Sequence, residues 1–219
     1  MLKKMVDNRD RRSLAVQFRR RRFAFFQSLL SHLERPVRIL DVGGTETYWK
    51  MMELKAGDQV FITLLNLTQI DVSFPNVTSI AGDARAIMAE DASFDVVFSN
   101  SVIEHMGTYQ DQLQMAREVR RVGRSYFIQT PNKYFPIEPH FLFPLFQFLS
   151  LKMRVFLIQN FNLGWFAKTP DPIKAEEIVS GIRLLDRYEF RTLFPTAMIY
   201  QEKVFGFTKS FVAYGGWDE

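Results

Sequence analysis

The chain has 219 residues, 47% of them hydrophobic, which fits one large folded domain with a sizeable core. It contains no cysteine, so the sequence excludes disulfides, thiolate metal sites and a cysteine nucleophile. The formal net charge is +4, and the excess of Lys and Arg lies in residues 1–38. We therefore expect one globular domain whose basic character belongs to its N-terminal segment and not to its body.

Residues 1–36 form this basic segment, within which residues 12–33 predict an amphipathic helix ended by Pro36. Charged residues interrupt any apolar leader, and no run approaches the ~20 apolar residues that span a bilayer, so we expect a cytoplasmic protein, with peripheral membrane contact left open. The run Arg19–Arg22 allows three interpretations: binding to nucleic acid phosphates, contact with anionic lipid with Phe23, Phe25 and Phe26 inserted, or the solvated face of a packing helix. We favour the third.

An alternation of apolar strands and helical stretches follows. The predicted strands are Val37–Val42, Gln59–Leu65, Val77–Ala81, Phe94–Ser99 and Ser125–Gln129. Strands that are almost continuously apolar predict a parallel sheet covered by helices on both faces. Thr108 and the Asp186-x-x-Glu189 capping box predict later helix starts.

The end of the chain differs from this alternation. The strands Thr196–Val204 and Phe207–Tyr214 are joined only by Phe205 and Gly206, which forces an antiparallel hairpin. The predicted fold class is therefore α/β: a doubly wound, mostly parallel, Rossmann-like sheet of seven strands with a C-terminal antiparallel hairpin. Residues 1–219 form one domain, with an N-terminal helix and an inserted helical cap at residues 134–181.

Polar residues follow the ends of four of these strands: Asp41 with two glycines, Asn66, Asp83, and Asn100 with Ser101. In a doubly wound sheet, ligands bind beyond the carboxyl ends of the strands, near the point where the strand order reverses. Each landmark alone also fits an ordinary turn, but four in succession predict one ligand crevice. The dinucleotide pattern G-x-G-x-x-G is missing, which disfavours a nicotinamide dehydrogenase.

The ordered runs ILDVGGTETYW, ITLLNLT, AGDA and FDVVFSNSVIEHM, with the closing FGFTKSFVAYG, resemble class I S-adenosylmethionine-dependent methyltransferases of the type-11 group. The resemblance covers residues 37–133 and 182–215 and implies S-adenosylmethionine as the cofactor. Two features depart from the family pattern: only the first glycine of D/E-x-G-x-G-x-G is in register, and an asparagine replaces the ribose-binding acid. The implied cofactor-binding residues are Asp41, Gly43, Gly44 and Thr45 around the methionine part, Asn66 and Leu67 at the ribose, Asp83 and Ala84 at the adenine, and Asn100 and Ser101 beside the sulfonium.

The candidate catalytic residues are His105, Glu104 and His140. His105 is our first choice for a general base because the ordinary pKa of a histidine lies near ~6.5. Its alternative role is to shape the pocket without reacting. Glu138 and His140, in a proline-rich loop, are candidates to contact an acceptor hydroxyl, and we predict no metal.

The segment from Phe141 to Phe166 is rich in aromatic residues, which allows three interpretations: a pocket for an apolar or aromatic acceptor, a cap that contacts a membrane, or inserted helices that bury these rings against the domain. We favour the last for most of the rings. The sequence thus predicts methyl transfer to a small-molecule or lipid-like acceptor, with a hydroxyl favoured as the accepting group. Two alternatives remain open: a degenerate methyltransferase-fold binding protein, and an RNA methyltransferase, although we expect no nucleic acid partner.

Overall fold

A seven-stranded sheet forms the centre of the computed structural model, which describes residues 13–53 and 59–217. Its strand order is β3-β2-β1-β4-β5-β9-β8. The strands are β1 (Val37–Val42), β2 (Val60–Asn66), β3 (Val77–Ala81), β4 (Phe94–Asn100), β5 (Gly123–Pro131), β8 (Met198–Val204) and β9 (Phe207–Gly215). A separate two-stranded ribbon consists of β6 (Ile137–Glu138) and β7 (Phe143–Pro144).

The first five strands are parallel, and β9 pairs antiparallel with both β5 and β8. The order reverses between β1 and β4, which creates the switch point where a doubly wound sheet binds its ligands. Phe205 and Gly206 both adopt positive φ, as a two-residue hairpin turn requires. The predicted fold class is confirmed, including the C-terminal hairpin.

Helices cover both faces of the sheet. They are α1 (Leu14–Leu30), α2 (Glu46–Met51), α3 (Tyr109–Val122), α4 (Leu151–Asn160), α5 (Pro172–Ser180) and α6 (Arg187–Leu193). On one face, α1 and α2 contribute Phe23, Phe26 and Trp49 to the core, and on the other α3 and α6 contribute Val119 and Phe190. Capping boxes begin α3 at Thr108 and α6 at Asp186, as the sequence predicts.

The N-terminal helix α1 packs into the core with its phenylalanines. Phe23 and Phe26 are buried, and Phe25 packs edge-on against Tyr214. The interpretation that these three rings insert into lipid is therefore wrong. The interpretation of the whole Arg19–Arg22 run as a solvated face also needs correction, because Arg22 is 4% exposed. The basic residues before position 13 lie outside the described residues.

The insertion after β5 contains helices α4 and α5 together with the β6–β7 ribbon, which the sequence did not predict. That the insertion caps an acceptor site stays a prediction. It has its own small core around Phe141, Phe146, Ile158 and Val179. Among the described residues, no helix is both long and apolar enough to cross a membrane.

Candidate cofactor and catalytic site

The four polar landmarks lie on four neighbouring strands at the same edge of the sheet. Val42 pairs with Leu65 on one side and with Ser99 on the other, which aligns the ends of β1, β2 and β4. Asn66 pairs with Ala81, the last residue of β3. Because these strands are parallel, the residues that follow their carboxyl ends lie along one edge of the sheet, where a doubly wound sheet binds its ligands.

The turn after β1 is shaped by two glycines. Gly43 has a φ of +72°, in the left-handed region, and a Cβ there would overlap Val102. A Cβ on Gly44 would overlap the carboxylate of Asp41. The backbone of this turn is therefore held close against its neighbours, and it presents amides without side chains to the crevice.

Asp41 lies beneath this turn and not at its surface. Its side chain is 1% exposed, and Oδ2 accepts a hydrogen bond of 2.7 Å from the indole Nε1 of Trp49. Burial raises the pKa of Asp41 to about 8, an effect that the bond from Trp49 only partly offsets. Asp41 thus fixes the turn from within, whereas the sequence suggested a residue that faces the ligand.

Asn66 braces the same turn from β2. Its Nδ2 donates to the carbonyl oxygen of Gly44 at 3.0 Å, which directs the amide group towards the crevice. The next residue, Leu67, is 80% exposed. The hydroxyl of Thr45 makes no capping bond at the start of α2. Asn66 and Thr45 thus offer polar groups beside the glycine turn.

At the end of β3, Asp83 is paired with an arginine. Nη2 of Arg85 lies 2.7 Å from its carboxylate, and the hydrogen bond from Arg85 lowers the pKa of Asp83. The carboxylate remains partly exposed, and Ala84 beside it is buried. A ligand amino group at Asp83 would share the carboxylate with Arg85.

Asn100 and Ser101 lie at the carboxyl end of β4, on the same edge of the sheet. Asn100 Oδ1 accepts a hydrogen bond from Arg22 of α1, and the hydroxyl of Ser101 donates to Oε1 of Gln129 at 2.8 Å. Ser101 has a φ of +58°, an unusual conformation for a non-glycine residue that often marks functional sites.

Arg22 reaches Asn100 because a buried carboxylate holds it. Its guanidinium makes two hydrogen bonds to Glu202 of β8, at 3.0 and 2.9 Å, and Ser210 also donates to Glu202. Sequence reasoning missed this pair. The sequence feature that could have indicated it is the single acidic residue, Glu202, within the mostly uncharged strand β8.

A second cluster lies between the loop after β4 and the inserted segment. Glu104 is fully buried; its Oε2 accepts from the hydroxyl of Thr130 at 3.0 Å, while its Oε1 has no hydrogen-bond partner. That free oxygen lies 4.0 Å from Nε2 of His140. The rings of His140 and His105 meet edge to face at 4.9 Å. The structure thus brings together all three residues predicted as catalytic.

Glu138 orients His140. One carboxylate oxygen of Glu138 lies 2.7 Å from Nδ1 of His140, and the other accepts from the backbone amides of His140 and Phe141. Glu138 is 2% exposed. Nε2 is therefore the ring nitrogen of His140 that is left for chemistry.

The pKa values in this cluster diverge. Burial raises the pKa of Glu104 to about 7 and lowers that of His105 to about 4. Burial alone would lower the pKa of His140, but its hydrogen bond and charge contact with Glu138, and the charge of Glu104, raise it overall. His140 is therefore the more basic of the two histidines, contrary to the first choice from sequence.

Glu104, His105 and His140 carry carboxylate oxygens and imidazole nitrogens, which are common metal ligands. The closest ligand atoms of Glu104, His105 and His140 lie within 4.8 Å of one another. Around a tetrahedral ion with bonds of ~2 Å, ligand atoms are separated by only about 3.3 Å. The three side chains would therefore have to move closer to one another to hold an ion. The absence of a metal from this site stays a prediction.

A cavity of about 300 Å³ adjoins this cluster. Its wall includes Glu138, Phe141 and Phe146 of the inserted segment, and Gly107 of the loop after β4. Its size is at the lower end of the range for small-molecule sites. The cluster around His140 thus borders a space that can take part of a ligand.

Comparisons with known proteins agree with this architecture. Residues 40–126 match the family model described as a methyltransferase domain. Two uncharacterised proteins of Mycobacterium tuberculosis, MT1557 and Rv1509, are each 40% identical over 62 residues, which is 28% of this chain and 21% of theirs. The chain thus matches about a fifth of the length of these relatives.

Solved structures share the fold at low sequence identity. A putative sarcosine dimethylglycine methyltransferase from Galdieria sulphuraria superimposes with a TM-score of 0.55 at 17% identity, over 90% of this chain and 67% of that one. A SAM-dependent methyltransferase from Aquifex aeolicus gives a TM-score of 0.52 at 12% identity, over 97% and 95%. Residues 40–126 thus match a methyltransferase-domain model, and the chain shares the fold of solved S-adenosylmethionine-dependent methyltransferases.

Proposed function

We propose that the protein transfers a methyl group from S-adenosylmethionine to a hydroxyl group of a small-molecule or lipid-like acceptor. One observation carries the proposal: a tight glycine turn and three further polar strand ends lie at the carboxyl edge of β1 to β4, and the loops beyond that edge hold a histidine oriented by a buried carboxylate. The crevice suits a nucleoside-type cofactor, and the histidine suits a proton acceptor.

The residues of the crevice fit the cofactor. Gly43 and Gly44 leave room for close backbone contact, the amide of Asn66 can meet ribose hydroxyls, and the partly exposed carboxylate of Asp83 can accept from the adenine amino group. The bound cofactor would supply an electrophilic sulfonium methyl group beside Asn100. In this proposal Asp41 acts through the turn that it supports, because its buried carboxylate is already paired with an indole.

The proposed base is Nε2 of His140. It takes the proton of the acceptor hydroxyl as that oxygen gains the methyl group, and Glu138 holds the imidazole in place. The free oxygen of Glu104, 4.0 Å from Nε2, stabilises the imidazolium that results. His105, whose pKa is low, stays neutral and lines the site.

Titration with S-adenosylhomocysteine tests the cofactor site. We expect micromolar binding to the unaltered protein and at least a tenfold loss in Asp83→Ala and in Asn66→Ala. Glu90→Ala is the matched control, because Glu90 is an exposed acid in the loop after β3. Equal binding by all four proteins would refute the mapped site, and no binding by any of them would favour the degenerate binding module.

A group of individually exposed apolar side chains on the inserted segment supports the lipid-like class of acceptor and a peripheral membrane contact. Its members are Leu145, Phe148, Leu151, Met153, Phe156, Phe161 and Trp165. Scattered single apolar residues are normal, but a group within about twenty residues favours contact with lipid. Flotation with anionic liposomes tests this, and Phe156→Ser with Met153→Ser should weaken it. If the protein does not float at all, the contact is ruled out.

The RNA methyltransferase alternative loses support, because Arg22 of the basic run is committed to Glu202 inside the fold. Only part of that run can meet phosphates.

A further inference from the structure

The cavity beside Glu138 is lined by more cationic than acidic side chains. Besides Glu138, three cationic side chains line it: Lys133, Arg154 and Arg183. Arg183 is already neutralised, since it pairs with Glu189, donates to Gln112 and lies over the ring of Tyr109. Lys133 and Arg154 therefore decide what charge the cavity prefers.

Neither of these two side chains forms a close ion pair among the described residues, although the charge of Glu138 acts on Arg154 and partly offsets the lowering of its pKa by burial. Within residues 13–53 and 59–217, no ion pair joins Lys133 or Arg154 to a carboxylate. Glu138 lies nearby, but both of its oxygens are occupied by His140 and two backbone amides. The cavity thus contains more positive charge than its one carboxylate can balance.

Arg154 also carries an unused donor. Its Nε is buried and makes no hydrogen bond, and burial lowers the pKa of the guanidinium. A buried donor without a partner destabilises the protein, and a ligand acceptor would remove that cost. A second buried atom on the same wall, Oε1 of Gln147, is likewise without a partner. A ligand with both an acidic group and a hydrogen-bond donor would satisfy both atoms.

Apart from Ser180, the rest of the wall is apolar. Phe141, Phe146 and Val179 are each at most 2% exposed, and Ile182 and Leu184 complete that side. An occupant must therefore combine an apolar body with its acidic group. The volume of about 300 Å³ excludes a polymer but admits a ring or a short chain.

We propose that this cavity binds the acidic end of the methyl acceptor: a carboxylate or phosphate on an apolar body, held by Arg154 and Lys133. Glu138 joins this cavity to His140, so the bound acid places the rest of the acceptor near the proposed base. The role of the occupant as acceptor rests on the proposed function, whereas the preference for an acid does not.

The test compares benzoate with benzamide, which has the same shape without the charge. Ligand-detected NMR or calorimetry should show benzoate binding at least tenfold more tightly than benzamide to the unaltered protein. This preference should disappear in Arg154→Gln and weaken in Lys133→Gln. Lys152→Gln is the matched control: it removes the same charge from the same helix, but Lys152 is exposed and does not line the cavity.

Three results would overturn the proposal: no benzoate binding at millimolar concentration, equal binding of both ligands, or an unchanged preference in Arg154→Gln. Each variant is also titrated with S-adenosylhomocysteine and examined by circular dichroism. If the unaltered protein does not bind S-adenosylhomocysteine, the proposed function is refuted, and the preference of the cavity for an acid stands as a separate result. If Arg154→Gln does not fold, Lys133→Gln decides the outcome.

Discussion

The buried carboxylate of Asp41 yields a quantitative prediction through the substitution Asp41→Asn. Asparagine has the same shape and can still accept the hydrogen bond from Trp49, but it cannot ionise. If Asp41 supports the turn only by this bond, the variant should keep its affinity for S-adenosylhomocysteine. Asp41→Ala, which leaves the buried indole N–H without its acceptor, should lose about 1–3 kcal/mol of stability.

The magnitude for Asp41→Asn follows from the pKa. Burial raises the pKa of Asp41 from 3.8 to about 8 in the folded protein, so folding favours the protonated carboxyl. Stability from this group is complete below the unfolded pKa and is lost as the pH rises towards 8. Asp41→Asn cannot ionise, so its free energy of unfolding does not fall with pH in this way. Its stability relative to the unaltered protein should increase by about 1.4 kcal/mol per pH unit, or about 2.7 kcal/mol from pH 5 to pH 7.

Urea unfolding at pH 5, 6 and 7 measures this difference, with Glu90→Gln as the control for an exposed acid. Other titrating groups cancel, because both proteins contain them. If the difference between Asp41→Asn and the unaltered protein does not change with pH, the native carboxyl is ionised. In that case Asp41 meets water or a cation, and its position beneath the turn is wrong.

Three further predictions follow from the site. Glu202→Gln should cost about 3–5 kcal/mol in urea unfolding, because it leaves the buried guanidinium of Arg22 without its counter-ion. Gly44→Ala should abolish S-adenosylhomocysteine binding in calorimetry, since the added Cβ forces the turn open. Glu138→Gln should lower the pKa of His140, measured by NMR titration, because it removes the charge that raises that pKa.

Each of these has a matched control. Glu53→Gln alters a surface pair, 3.8 Å from Arg20, and should change stability by less than about 1 kcal/mol. Gly206→Ala strains the hairpin turn, because Gly206 has a φ of +83°, but its added Cβ meets nothing within 4 Å, so cofactor binding should persist. Glu176→Gln removes an exposed acid from α5 and should leave the histidine titration unchanged. Equal effects in a variant and its control would contradict the corresponding prediction.

Much of the fold could be predicted because its signals are local. The strand Val37–Val42 was predicted with its observed limits, and Val77–Ala81 likewise. The hairpin followed from the two-residue link at Phe205 and Gly206, which leaves the chain no room for a crossover. The shared edge of the four landmarks also followed, since parallel strands end on the same side of a sheet.

Sequence reasoning identified the residues of the second cluster but not their roles. His105 was preferred as the base from its ordinary pKa, whereas burial lowers that pKa and Glu138 raises the pKa of His140. Such shifts depend on desolvation and on charges in space, neither of which is encoded in residue spacing.

The sequence by itself determined the strands of the main sheet along the chain, the closing hairpin and the polar residues that follow the strand ends, because chain periodicity and turn length act over a few residues. Only the tertiary structure decided which polar groups are buried together. Arg22 and Glu202 are 180 residues apart, yet they share one hydrogen-bonded pair inside the fold. The cavity between Glu138 and Arg154 arises in the same way, since pairing and desolvation are set by distance in the folded molecule and not along the chain.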